Sequence, residues 1–296
     1  MKRTSILIFA LLLGRKLNAQ ENIAKLTPTV EIGKSLFSNT SKRDFSRKGK
    51  VYIHWGWNFS WYDRSDITFK GPGYDFTLKN VTAKDRPSKI SLDYINPAQL
   101  TTPQFDFRFG YFFKDNYSVS IGWDHMKYVM DIPQKVTIDG YINPSVSNPG
   151  ITTGNYAGIY KNQQLEVKDD MLTFEHTDGL NYVSAEVERY DDIWVAKNKK
   201  QMLAMETGVG AGFVIPRSDV RLFGVGENNF WNFAGYGVSI KAGLKFNVTR
   251  KLYFQNVTKA GYIDMDKIHT TGRNDIDRAM QTIRFLENYT AIGYQF

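Results

Sequence analysis

Eight segments of this chain alternate apolar with polar residues, which limits them to strands with two unlike faces. In the first, Val51 to Trp61, residues Val51, Ile53, Trp55, Trp57, Phe59 and Trp61 share one face. Tyr52, His54, Gly56, Asn58 and Ser60 share the other. The second, Phe105 to Phe113, sets five aromatic residues against Asp106, Arg108 and Gly110. The third begins at Tyr117 and opposes Val119, Ile121 and Trp123 to Ser118, Ser120, Gly122 and Asp124. The fourth, from about Tyr182, opposes Val183, Ala185 and Val187 to Ser184, Glu186 and Glu188. The fifth runs from Leu203 to Phe213, with Glu206, Gly208, Gly210 and Gly212 on its polar face. The sixth, Val238 to Phe246, carries Lys241 and Lys245 there. The seventh, Leu252 to Tyr262, is the least regular, and the eighth, Leu286 to Phe296, ends the chain on an aromatic residue.

The connections fall into two kinds. Residues 114–116, 197–201 and 249–251 are tight turns, whereas 62–104, 132–181, 216–234 and 265–281 are long. Long and short alternate strictly, which leaves both ends of the strand array on the short-turn side. The first two long connections alternate again, over Asp66 to Leu78 and over Lys135 to Ile142 with Leu165 to Glu175, so strands there are expected to continue as hairpins. The array reads as one all-β domain, residues 50–296.

The chain opens with Met1-Lys2-Arg3, a short apolar stretch from Ile6 to Leu13, and a cleavage point after Ala19. This is the pattern of a secretory signal peptide, too short to span a membrane as a helix. Residues 20–49 then read as a leader. Removing residues 1–19 takes away Lys2, Arg3, Arg15 and Lys16 and no acid, so the formal charge falls from +8 to +4. A nucleic-acid partner is therefore not expected; the remaining basic cluster, Lys42 to Lys50, reads as a solvated linker near anionic lipid. An exported chain with no cysteine uses no disulfides, so closure must come from its own hydrogen bonds.

With these features the chain resembles the small outer-membrane β-barrels of Gram-negative bacteria, the OmpA-like and OmpW-like group. The resemblance covers roughly Lys50 to Phe296 and rests on architecture and the terminal Phe296. It implies an all-β, eight-stranded antiparallel transmembrane barrel in the bacterial outer membrane, with short periplasmic turns and long extracellular loops. Outer-membrane lipid and lipopolysaccharide would surround it, and another envelope protein is a candidate partner. Apolar faces would then meet lipid, with Trp55, Trp57, Trp61, Trp123 and Tyr294 among the interfacial girdles. The polar faces would line a lumen carrying Asp106, Arg108, Asp124, Glu186, Glu188, Glu206, Lys241 and Lys245, with Lys259 and Glu287. Eight strands leave a lumen about wide enough for side chains to fill. Pairing of these charges is thus expected rather than conduction, with Gly208, Gly210 and Gly212 making room for large neighbours such as Arg108.

One constellation hints at chemistry. The run Phe174 to Asn181, with Ser184 and Glu186 beyond it, resembles the His-x-Ser segment and later Glu of lipid A 3-O-deacylases. A base beside a serine, oriented by a carboxylate, is nucleophile logic. Here Asp178 stands where the serine should be, so the catalytic alternative is His176, Asp178, Ser184 and Glu186, and the plainer reading is a structural loop pair. The histidines form no spaced metal motif, and neither metal nor cofactor is expected. Asp264, Asp266, Asp275 and Asp277 flank the fourth loop and read as solvated charges among Lys267, Arg273 and Arg278. Phe230, Trp231 and Phe233 in the third loop are candidates for a partner surface. The reading favoured by these features is a non-enzymatic barrel that acts through its external loops. A lipid-modifying hydrolase and a narrow pore or conduit for a small apolar ligand are the alternatives.

Overall fold

The computed structural model describes residues 43–89, 103–147, 149–228, 231–273 and 276–296. Residues 1–19 of the expected signal peptide, residues 20–42 of the expected leader, Phe230 and Asp275 lie outside the described residues. The strands in chain order are β1 (Val51–Tyr62), β2 (Ser65–Gly71), β3 (Tyr74–Val81), β4 (Ala83–Lys84), β5 (Phe105–Lys114) and β6 (Tyr117–Met130). Next come β7 (Gln134–Ile142), β8 (Ser145–Val146), β9 (Ile151–Thr152), β10 (Gly158–Val167), β11 (Leu172–Val195) and β12 (Met202–Val214). The last are β13 (Asp219–Leu222), β14 (Val225–Asn228), β15 (Gly235–Asn247), β16 (Leu252–Ile268) and β17 (Arg278–Gln295).

Eight of these form a ring in the order β1-β5-β6-β11-β12-β15-β16-β17, and β17 returns to β1. Closure is antiparallel, from Tyr52 opposite Gln295 up to Tyr62 opposite Phe285. The Phe296 amide donates to the Val51 carbonyl at 2.8 Å, so the chain's last residue ties off the seam. The expected eight-stranded antiparallel barrel is the observed one.

The outer wall is apolar and open to its surroundings. Ile121 is 64% exposed, Ile240 63% and Val209 59%, and Trp61, Phe109, Leu244, Ile292 and Tyr294 join them. A belt of that size is not tolerated against water, while a closed ring leaves no unpaired backbone facing lipid. Among the described residues no helix is long and apolar enough to cross a membrane. The chain crosses with its strands, as a barrel of the bacterial outer-membrane type.

A membrane crossing needs about 9–11 tilted strand residues, yet β11 has 24, β17 has 18 and β16 has 17. The surplus rises on the long-loop side. There β17 pairs with β2, and the sheet continues through β3 and β7 to β10. On the other side β11 carries the β13–β14 hairpin. The alternation over 66–78 is thus a hairpin, folded at Pro72-Gly73 where Gly73 takes φ +88. β7 pairs with β3 on one side and β10 on the other; of the stretch Leu165 to Glu175 only Leu165–Val167 lie on β10 against β7, because residues 172–175 belong to β11. The β13–β14 hairpin inside residues 216–234 was not expected; its strands have four residues each, too few to show a period.

Candidate functional site

Register explains how so narrow a lumen holds long ionic side chains. Arg108 lies opposite Gly122, Glu186 opposite Gly210 and Ser120, and Glu188 opposite Gly208 and Ser118. Large faces small across each pair, as a filled barrel requires. A Cβ at Gly122 would collide with the Arg108 guanidinium, whereas one at Gly208 would meet Lys241 and one at Gly210 would meet Glu186. Gly208 and Gly210 thus make room for large neighbours as expected, but these are Lys241 and Glu186, and the space for Arg108 comes from Gly122.

The buried charges meet as ion pairs. Arg108 reaches Glu186 at 3.0 Å and Asp124 at 3.3 Å. Lys241 reaches Glu186 at 2.8 Å, Glu206 at 2.8 Å and Glu188 at 3.2 Å. Lys259 pairs with Asp124 and lies 3.1 Å from Glu186. Asp106 meets His54 at 2.9 Å, and Glu287 accepts from the Asn58 amide at 2.6 Å. Asp106, Asp124 and Glu287 bring carboxylate oxygens within 4.8 Å of one another, a spacing suited to a metal ion. Arg108 and Lys259 already supply the positive charge there.

Lys245 departs from this pattern. None of the described residues hydrogen-bonds its Nζ. Instead the ammonium sits 3.7 Å from the Tyr253 ring centre and 5.0, 5.3 and 5.4 Å from those of Tyr190, Tyr52 and Phe112. The negative faces of those rings replace a carboxylate. Below them the chain before β1 closes the periplasmic end. Arg47 is fully buried, stands over Phe112 and Tyr190, and binds Asp192 at 2.5 Å. Arg43 binds the second Asp192 oxygen at 2.5 Å and reaches Asp115 at 3.2 Å. Partial burial works against the Asp115 carboxylate, but the Ser46 hydroxyl, the Arg47 amide and Arg43 together hold it below the usual carboxylate range. The basic cluster read as a solvated linker is, at Arg43 and Arg47, a stopper held by Asp192 on β11 and by the turn at Asp115.

The catalytic alternative does not assemble. His176 Nδ1 meets the Ser218 hydroxyl at 2.7 Å. Ser184 donates to Glu186 at 3.1 Å inside the lumen. Asp178 lies 3.6 Å from Arg217 at the surface. His176 sits above the apolar belt, fully buried beside Tyr128 and Phe174, and burial pushes its imidazole down to about 3. Ser218, 42 residues away in sequence, has no motif that marks it.

Above the belt the inward face changes chemistry. Ile67, Phe69, Phe76, Leu78, Tyr128, Ile138, Phe174, Leu180 and Ile283 form one buried apolar core. Phe69 stacks on Phe76 with ring centres 5.1 Å apart. At its margin Asp277 is buried and accepts from Ser147 at 2.7 Å, Tyr74 at 3.0 Å and Thr271 at 2.6 Å. One carboxylate thus ties the first, second and fourth long loops, and it is not the solvated charge expected there. Burial and the Asp277 charge raise the Tyr74 phenol, which keeps it a donor. Trp231 packs on Trp123 at 6.0 Å, and Phe233 on Tyr236 at 5.1 Å and Phe213 at 6.3 Å. Their ring partners belong to outward-facing strand positions, so these two residues extend the upper aromatic girdle.

No family model and no curated protein matches the sequence. Solved structures do. The outer membrane protein OprG from Pseudomonas aeruginosa is 10% identical, covering 86% of this chain and 99% of its own, with a TM-score of 0.41. Ail, the attachment invasion locus protein of Yersinia pestis, is 13% identical over 84% of this chain and 99% of its own, at 0.31. Neisserial surface protein A is 11% identical over 84% and 100%, at 0.35. The likeness goes no further than the architecture. By its own ring closure, strand number and apolar belt the protein is a small outer-membrane β-barrel.

Proposed function

We propose that the protein acts through its external body, as a non-enzymatic interaction or ligand-binding component of the envelope. The observation that carries this reading is the ordering of the described parts of the long loops. They hold their own apolar core, and the first, second and fourth are tied together at Asp277. Fixing a residue's backbone costs about 1–2 kcal/mol, and connections this long exceed ordinary lengths. A rigid external surface is what such an investment delivers. The ion-paired lumen and the Arg47 stopper favour a barrel that anchors this body over one that conducts.

A photo-crosslinking residue at Ile159, which is 76% exposed on β10, tests the reading against one at Ile240 in the belt. In intact cells the first should trap a non-lipid envelope component and the second only lipid. Lipid adducts alone at both positions would refute it. Mass analysis of lipid A tests the hydrolase alternative: an acyl loss that vanishes in His176→Ala would replace this reading.

A further inference from the structure

The outermost tip carries a cleft that neither the lumen nor the Asp277 tie explains. Its volume is about 550 Å³, and Tyr156, Phe223, Asn155, Glu166, Lys168 and Asp170 are among its lining residues. That lies within the ~300–1,000 Å³ of small-ligand sites. The Tyr156 and Phe223 ring centres are 6.2 Å apart, inclined at 38°. Phe223 holds φ +52, a left-handed backbone. With Gly224 at φ +75 it forms the two-residue turn between β13 and β14, which sets where the ring projects. The Phe223 amide donates to the Met171 carbonyl at 2.7 Å, which fixes the turn and the ring with it.

The polar groups narrow the ligand class. Glu166 pairs with Lys168 at 3.2 Å, and the Tyr156 hydroxyl donates to Asp170 at 2.6 Å. Two carboxylates against one ammonium leave these groups net negative, which repels an anion. A wholly apolar ligand would strip water from four polar side chains and return no hydrogen bonds. A neutral sugar meets both demands. Its C–H face suits the negative face of an aromatic ring, and its hydroxyls both donate and accept.

We propose that this cleft binds a neutral saccharide, stacked on the Tyr156–Phe223 aromatic wall and hydrogen-bonded through Asn155, Lys168 and Asp170. The inference rests on the external-binding reading and names a ligand class for it. The test uses the full-length protein in lipid nanodiscs with ligand-observed NMR. Maltose and N,N′-diacetylchitobiose are the neutral probes and a sulfated disaccharide is the anionic control. At least one neutral probe should bind saturably. Tyr156→Ala should weaken it about tenfold or more, as loss of an aromatic anchor does, and Tyr156→Phe should retain most of it. The folded gel mobility of each variant confirms that the barrel is intact. Failure of both neutral probes, tighter binding of the sulfated control, or unchanged binding by Tyr156→Ala would overturn the proposal. A protein trapped at Ile159 without saccharide binding would overturn it too, while sparing the broader reading.

Discussion

Within single strands of this protein the inward side chains change from ionic to apolar. On β17 the lower inward positions include Glu287 and Tyr289, and the upper ones Ala279, Ile283 and Phe285, with Gln281 between them bonded to Ser65 and Tyr128. On β11 they pass from Glu188 and Glu186 through Tyr182 to Phe174 and Leu172. The outward face changes in the opposite sense, from Val187 and Ile292 in the belt to Thr177 and Arg278 above it. The strands run on through the change, β11 with a bulge between His176 and Leu180; what differs is the solvent outside. Lipid accepts Val and Ile, so charge retreats to the lumen, where it must pair. Water accepts the polar side, so the external body packs an ordinary apolar core.

This contrast predicts different failures in the two regions. The largest effect is expected for Lys259→Met, which leaves Asp124 with Arg108 as its one cation and Glu186 with one cation fewer. Removing one partner of a buried pair costs about 3–5 kcal/mol, read as loss of the heat-resistant folded band on gels. Adding Asp124→Asn should restore much of it, and no recovery would break the pairing account. Ile67→Ala should cost about 2–5 kcal/mol, but only in the external body. Protease should then cut the loops while the barrel keeps its folded mobility. Collapse of the whole barrel would mean that the two regions are one cooperative unit.

Smaller effects sharpen the comparison. Arg47→Ala combined with Asp192→Ala removes the stopper's anchor, and planar bilayers should show brief low-conductance openings absent from the parent. Current equal to the parent's would assign closure to the ion pairs alone. The smallest effect is a pH slope. His176 is neutral when folded, with its pKa depressed from 6.5 to about 3. Its contribution is intact above pH 6.5, because neither state then holds the proton. As pH falls toward 3 the unfolded chain takes up a proton that the folded body refuses, and stability drops. Measured by external-body proteolysis, this slope should flatten in His176→Asn; an unaltered slope would place the acid sensitivity elsewhere.

How much of this was legible in the sequence depended on distance along the chain. Alternation identified which residues share a face, and the loop asymmetry identified the ring, because both are local signals. The lumen positions of Asp106, Arg108, Glu186 and Lys241 followed from period two alone. Their partners did not, since Gly122 rather than the Gly208 run makes room for Arg108. Lys245 was read as one more lumen charge; its ring partners Tyr52, Phe112, Tyr190 and Tyr253 come from four other strands. His176 finds Ser218 only because the third loop folds back over β11. Arg47 and Asp277 looked like solvated charges, and both are buried by chain segments far away in sequence.

The central claim is that the apolar side of the lower strands meets acyl chains. Because the chain has no cysteine, single cysteines can be placed at Ile240, Val209 and Ile292 in the belt and at Ile159 on the external body, each carrying a nitroxide. In bilayers the three belt labels should relax strongly with oxygen and hardly with a water-soluble nickel chelate, and the label at 159 should do the reverse. Strong nickel relaxation at 240 and 209 would put those residues in water and contradict the account.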